Sequence, residues 1–233
     1  MNEVGHHLST AVGAYRRFVD RSRGVDPSAP TRLAGWVVRD LIDHVGWAAA
    51  MEADAVRTAV GLPIAGRSTD LGESVDSFAR ICDVIITPDT PITIPAGTVP
   101  AGFAAPLFAF EAALHAADLD DAAGGDASMT PDEVDACGLV VGPMLDLLAA
   151  QVPDDAVVID LVGLEVAVRL TADPGRGAWV RGTPDPGSAA TTTISGSAEQ
   201  IVLFAAGRID ASALRVDGVT AHADHFKRYF PGP

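Results

Sequence analysis

The stretch FEAALHAADL, residues 110–119, sets a carboxylate and an imidazole four residues apart, Glu111 and His115. On a helix such a pair shares one face, with Cβ atoms ~5–6 Å apart. The residues around it, Leu107, Phe108, Phe110 and Leu114, are those of a face packing into a core. A buried carboxylate is costly unless it is paired or bound to a metal. His44 occupies the same kind of place on another apolar stripe, formed by Val37, Leu41, His44, Ala48 and Met51. Facing helices of an antiparallel bundle build metal sites from inward polar residues of this sort. Two histidines and a glutamate with one position open are a donor set of catalytic zinc. Asp118, three residues after His115, is placed to accept the ring N–H. The spacing leaves two plainer accounts open, an ordinary i,i+4 contact and a hydrogen-bonded core histidine.

The elements that must carry these residues follow from periodicity and punctuation. Val4, Leu8, Val12, Tyr15 and Phe18 predict a helix over about Val4–Arg21, closed by the loop GVDPSAPT. A second helix is expected from after Trp36 to about Val60, and a third over Leu71–Ile86. The proline-rich segment TPDTPITIPAGTVPAGFAAP predicts an irregular connection with a short extended piece at ITI. The helix bearing Glu111 is expected over Pro106–Ala123, broken by AGGDAS. Thr130-Pro131-Asp132-Glu133 has the signature of a capped start, for a helix running to about Gln151.

Beyond VPDD the pattern changes. AVVIDLV and LEVAVRLTA predict a hairpin, and GAWVRGT and TTTISG two further strands. A helix from Ser197 should stop at Gly207, with a short strand at LRVDG and a last helix over Thr220–Tyr229. The expected fold class is therefore α+β: a helical bundle over 1–152 and a small α+β domain over 153–233.

Composition narrows the function. The 233 residues are 48% hydrophobic and 20% charged, a globular balance, and only 6% aromatic. A net charge of −15 argues against nucleic acid, whose phosphates need clustered Lys and Arg, and against anionic membrane surfaces. MNEVGHHLSTAVGAYRRF lacks the basic start and apolar run of a signal peptide, and no stretch approaches a membrane span, so a cytoplasmic protein is expected. Cys82 and Cys137 match no paired spacing and are expected to be buried free thiols. His6, His7, His222 and His225 are expected at the surface. No GxGxxG, phosphate-binding GxxxxGK[ST] or GxSxG motif is present, and Ser197 is expected to cap its helix.

Three segments, in order, resemble the mycothiol-dependent maleylpyruvate isomerase family of the DinB-like metal-binding superfamily. TRLAGWVVRDLIDHVGWA, residues 31–48, is similar to the family's Gly-Trp turn followed by Leu-x-x-His. EAALHAADL, residues 111–119, is similar to Glu-x-x-x-His-x-x-Asp-Leu. ISGSAEQIVLFAAGR, residues 194–208, is similar to the Ser-Gly-Ser opening and Gly-Arg end of a helix in the family's second domain. The resemblance implies a DinB-like four-helix core, a divalent metal, usually zinc, on His44, Glu111 and His115, and a C-terminal domain facing it. It also implies mycothiol as thiol cosubstrate and a functional role for Arg208. From its position alone, Arg208 is equally a helix-terminal cation. Ala34 departs from the proline common before Gly-Trp, and Ala116-Ala117 from the Arg-Trp often found after the histidine.

The resemblance implies a metal-activated thiolate acting on a small enedioate-like substrate, as a cis–trans isomerase or an S-transferase. A metal-dependent hydrolase and a non-catalytic binding module are the alternatives. Substrate, thiol and oligomeric state are not encoded legibly.

Overall fold

Alanine lets the first and fourth helices approach closely. α1 (Glu3–Ser22) buries Ala11 and Ala14, and α4 (Ala101–Ala122) buries alanines along most of its length. α1 lies along α4 and against α3 (Leu71–Cys82), and α2 (Val38–Ala59) packs on α3. Tyr15, Phe18, Phe78 and Phe108 fill the interior, with Tyr15–Phe78 and Phe78–Phe108 meeting edge to face. The computed structural model describes residues 2–66, 68–125, 128–164, 166–185 and 187–232, so Asp126 and Ala127 of the expected break lie outside it.

Local chemistry starts these helices. The Asn2 side chain accepts from Gly5 N at 2.9 Å, and that of Asp70 from Glu73 N at 2.9 Å. At the capped start expected from sequence, Thr130 N donates to Glu133 at 2.8 Å and Glu133 N to Thr130 Oγ1 at 3.4 Å. Glu133 does more than cap: it is buried and takes both Arg17 Nη atoms, at 2.6 and 2.9 Å.

Four expectations need correction. α4 begins at Ala101 and carries Pro106 inside it. Its first amides are already satisfied, Ala101 N by Thr90 O at 2.8 Å and Gly102 N by Pro88 O at 2.9 Å. The helix therefore starts before the proline. α3 ends at Cys82, and the Ile86 carbonyl is instead held by Asn2 Nδ2 at 2.8 Å. The proline-rich connection forms a hairpin, β1 (Pro91–Ile94) with β2 (Gly97–Pro100), in which Ile92 and Ile94 are buried. His7 is also buried, in register with Val4 and Leu8, and neither ring nitrogen has a partner among the described residues.

The chain divides into two units, Met1–Cys137 and Gly138–Pro233. The division falls within α5 (Pro131–Leu148), where the sequence pattern sets a boundary after that helix. In the second unit, Asp146 of α5 pairs with Arg181 Nε at 2.7 Å, and Arg181 lies on β5. The end of α5 is thus tied to the sheet by an ion pair.

That sheet has the order β5-β4-β3-β6-β7. β3 (Val158–Val162) and β4 (Ala167–Asp173) form the expected hairpin, extended by β5 (Ala178–Gly182). β6 (Thr192–Ser195) runs parallel to β3, and β7 (Arg215–Gly218) antiparallel to β6. Asp160 and Arg169 face each other across the hairpin in a two-pronged ion pair, both bonds 2.7 Å. α6 (Ala198–Ala205) opens with Ser197 and Gln200 capping each other reciprocally. The last helix is broken at His225 into α7 (Thr220–Asp224) and α8 (Phe226–Tyr229). Among the described residues no helix is long and apolar enough to cross a membrane.

A Cβ at Gly163 would sit 2.9 Å from Ala198 Cα and 3.2 Å from Ala198 N. Backbone atoms cannot yield as a flexible side chain does. Gly163→Ala is expected to cost about 1–3 kcal/mol, read as a lowered thermal midpoint. An unchanged midpoint would contradict the close approach of β3 and α6.

Candidate metal centre

Two helices supply three donors. His44 stands in the second turn of α2, and Glu111 and His115 stand one turn apart in α4. Glu111 Oε1 lies 2.8 Å from His44 Nε2 and 3.1 Å from His115 Nε2. One available donor atom from each residue falls within 4.8 Å of the others, the spread of a cluster able to close on one ion. All three residues singled out from sequence are thus brought together.

The histidines are oriented from outside the cluster. His115 Nδ1 is 3.0 Å from Asp118 Oδ2, an acceptor that holds the Nδ1 proton and leaves Nε2 directed at the centre. Asp118 is fully buried and is itself held by Arg32, whose Nε lies 3.7 Å from Oδ1. Arg32 also reaches Asp121 at 2.9 Å. His44 is flanked by Trp36 and Trp47, with ring centroids 5.2 and 5.9 Å away, and meets His115 edge to face at 4.8 Å.

The cluster is sealed on one side and open on the other. The side chains of His115 and Asp118 are 6% and 0% exposed, those of His44 and Glu111 29% and 30%. Burial opposes the charge on Glu111, but His115 and then His44 outweigh it and hold the carboxyl far below the usual range. Burial likewise opposes an imidazolium at His115, yet Glu111 and Asp118 lift it to about 9. The site attracts positive charge, and a divalent ion would replace the protons now shared there. The donor set fits a metal on chemical grounds as well: two neutral imidazoles and one carboxylate suit zinc.

Sequence reasoning missed two parts of this neighbourhood. Arg32 lies in the loop before α2, and nothing in its spacing points to Asp118. Glu52, fully buried on α2, accepts from Tyr15 Oη at 2.9 Å. Burial, and then Glu111, push the Glu52 carboxyl well above its ordinary value. A groove of about 930 Å³ between α1 and α3, lined by residues including Val12, Arg16, Arg80 and Ile85, involves none of the donors.

The other flagged residues are accounted for locally. Cys82 and Cys137 are free thiols whose pKa burial pushes up, Cys82 also by Glu52 and Cys137 by Glu133, which disfavours the thiolate at both. His222 Nδ1 lies 3.1 Å from Tyr229 Oη. In the second unit Arg208 is 7% exposed and follows a Schellman end to α6. Gly207 has φ +75°, Gly207 N reaches Phe204 O at 2.9 Å, and Arg208 N reaches Leu203 O at 2.7 Å.

Comparison with known proteins agrees with the resemblance seen in the sequence. Residues 8–80 match the family model of the mycothiol maleylpyruvate isomerase N-terminal domain. The fold is similar to a crystal structure of the mycothiol-dependent maleylpyruvate isomerase, at 18% identity and a TM-score of 0.60, over 93% of each chain. A structure of a histidine-to-alanine mutant of that enzyme matches with the same identity, coverage and TM-score. No curated protein matches by sequence.

The raised pKa of His115 has a measurable consequence. A metal needs Nε2 deprotonated, and in the metal-free site that proton leaves only near pH 9. Zinc affinity measured by chelator competition should therefore rise with pH through the neutral range, by up to about tenfold per unit below 9. For the metal-free fold the sign is opposite. The raised pKa stabilises fully below the ordinary value of 6.5, and that stability is lost as pH rises through about 9. Flat affinity across pH 6–8 would mean that His115 does not bind the metal.

Proposed function

We propose that this chain, which carries the family's N-terminal domain over residues 8–80, is a metal- and mycothiol-dependent cis–trans isomerase of a small enedioate-like substrate. The observation that supports this most directly is the three-donor cluster, closed behind His115 and open beside His44 and Glu111. A divalent metal held by His44, Glu111 and His115, most suitably zinc, supplies a charge that lowers a thiol's pKa toward neutrality.

The chain's own groups do the rest. Asp118 holds the Nδ1 proton of His115, and Arg32 holds Asp118, so the imidazole keeps its orientation and tautomer. Trp36 and Trp47 pack near the His44 ring. Arg208 holds a substrate carboxylate. The substrate's double bond takes up the thiolate, its electron pair moving to the conjugated carbonyl. The bond, now single, rotates. The pair then returns, the double bond re-forms in the trans geometry and the thiolate leaves, so no atom is gained or lost.

A hydrolase is less well supported. It needs a general base within reach of a bound water. Asp118, the carboxylate behind His115, is fully buried and committed to His115 and Arg32. S-transfer would use the same parts as isomerisation, and nothing in the geometry favours it.

The test begins with elemental analysis of untagged protein. About one zinc per chain is expected, lost in His115→Ala while far-UV circular dichroism is unchanged. Isomerisation of maleylpyruvate should then need both metal and mycothiol, and Arg208→Lys should raise KM more than it lowers kcat. Protein that neither contains nor takes up zinc, or turnover indifferent to the thiol, would overturn the proposal.

A further inference from the structure

α1 and α3 leave a groove between them that the metal centre does not use. Its volume is about 930 Å³, and its lining lies wholly within the first unit. One wall is a single face of α1, carrying Ser9, Val12 and Arg16 at the three- and four-residue spacing of helical neighbours. The other is the face of α3 that bears Asp76, Ala79 and Arg80, continued by Val84 and Ile85. The two helices run in opposite directions. Asn2, at the start of α1, reaches the Ile86 carbonyl beyond the end of α3 at 2.8 Å, while Tyr15 meets Phe78 edge to face at 5.6 Å. Arg16 is therefore level with the turn of α3 that carries Asp76 and Arg80, and Val84 and Ile85 lie toward the opposite end.

The two ends differ in chemistry. At one, two guanidiniums stand against a single carboxylate, that of Asp76. Among the described residues neither Arg16 nor Arg80 has an ion pair or hydrogen bond from its side chain. Their neighbours on α1 show the usual outcome: Arg17 is paired with Glu133 and Arg21 with Asp120. Acid is in excess in a chain of net charge −15, yet none closes on these two cations. At the other end Ile85 is 89% exposed, and the acid there, Asp83, is exposed at the C-cap of α3. Val12 and Ala79 make the walls apolar along the way. The volume suits a small molecule, and Gly5 to Arg16 spans about 16 Å of helix.

We propose that this groove is a second ligand site, separate from the metal centre, which takes a medium-chain carboxylate: an anionic head on an elongated apolar body. The head accepts hydrogen bonds from Arg16 and Arg80, which select an anion through charge-assisted contacts. The chain lies along Val12, Ala79, Val84 and Ile85 and removes their exposed surface from water. Neither metal nor thiol takes part.

The experiment is calorimetric titration of the full chain at pH 7 with octanoate and, separately, with octan-1-ol, which has the same chain and no charge. Wild type should bind octanoate more tightly than octanol. The double variant Arg16→Gln/Arg80→Gln should weaken octanoate by about tenfold or more, to the level of octanol. Ala79→Trp, which fills the groove and leaves both arginines in place, should abolish octanoate binding. Arg176→Gln, which removes an exposed cation from the second unit, should leave it unchanged, and thermal melting should show every variant folded. No octanoate binding by wild type, or equal binding by wild type and the double variant, would overturn the proposal. So would Ala79→Trp binding octanoate as wild type does, or a loss of equal size in Arg176→Gln.

Discussion

A partly buried carboxylate held between two imidazoles is the constraint around which the first unit is built. Glu111 cannot be withdrawn from water alone, because the desolvation of a lone carboxylate exceeds what a marginally stable fold can absorb. It is tolerated because His44 and His115 both approach the same oxygen, at 2.8 and 3.1 Å. That requires α2 and α4 to hold one register and one separation. The bundle interior, packed with buried alanines and aromatic rings, provides them. The arrangement that makes the carboxylate bearable is also the one that presents three donors to a single ion.

Glu52 shows what the same residue type does without that company. Glu52 is fully buried and Glu111 partly so in the same bundle, yet their carboxyls shift in opposite directions. Glu111 has two imidazoles against it. Glu52 has a phenol, which donates one hydrogen bond, and feels the charge of Glu111, which disfavours a second anion nearby. Burial is common to both, so the neighbours decide the sign. The neighbours thus favour the ionised form at Glu111 and the protonated form at Glu52.

Elsewhere, buried charge is matched directly. Glu133 takes both arms of Arg17, and Asp160 both arms of Arg169 across a hairpin. These forked pairs satisfy geometry and charge together, which a lone ammonium cannot do. Lys227 is the contrasting case, a half-buried ammonium whose pKa is pushed down by burial and then by Arg208.

What the sequence determined by itself was local. Helical periodicity placed α1, α2 and the body of α4, and cap chemistry placed the starts at Thr130 and Ser197, because each depends on residues within a turn or two. The i,i+4 spacing put Glu111 and His115 on one face, and the stripe position of His44 nominated the third donor. Tertiary structure alone decided the rest. The distance from His44 to Glu111 depends on how two separate helices pack. Arg32 meets Asp118, and Tyr15 meets Glu52, only after the chain has folded back on itself. α4 starts ahead of Pro106 because an earlier loop satisfies its first amides. β2 escaped notice because its largely exposed residues carry no alternation, and β6 lies beside β3 through contacts that no local pattern encodes. Periodicity and capping act over a few residues, whereas pairing energies between distant residues exist only once the fold supplies the neighbour.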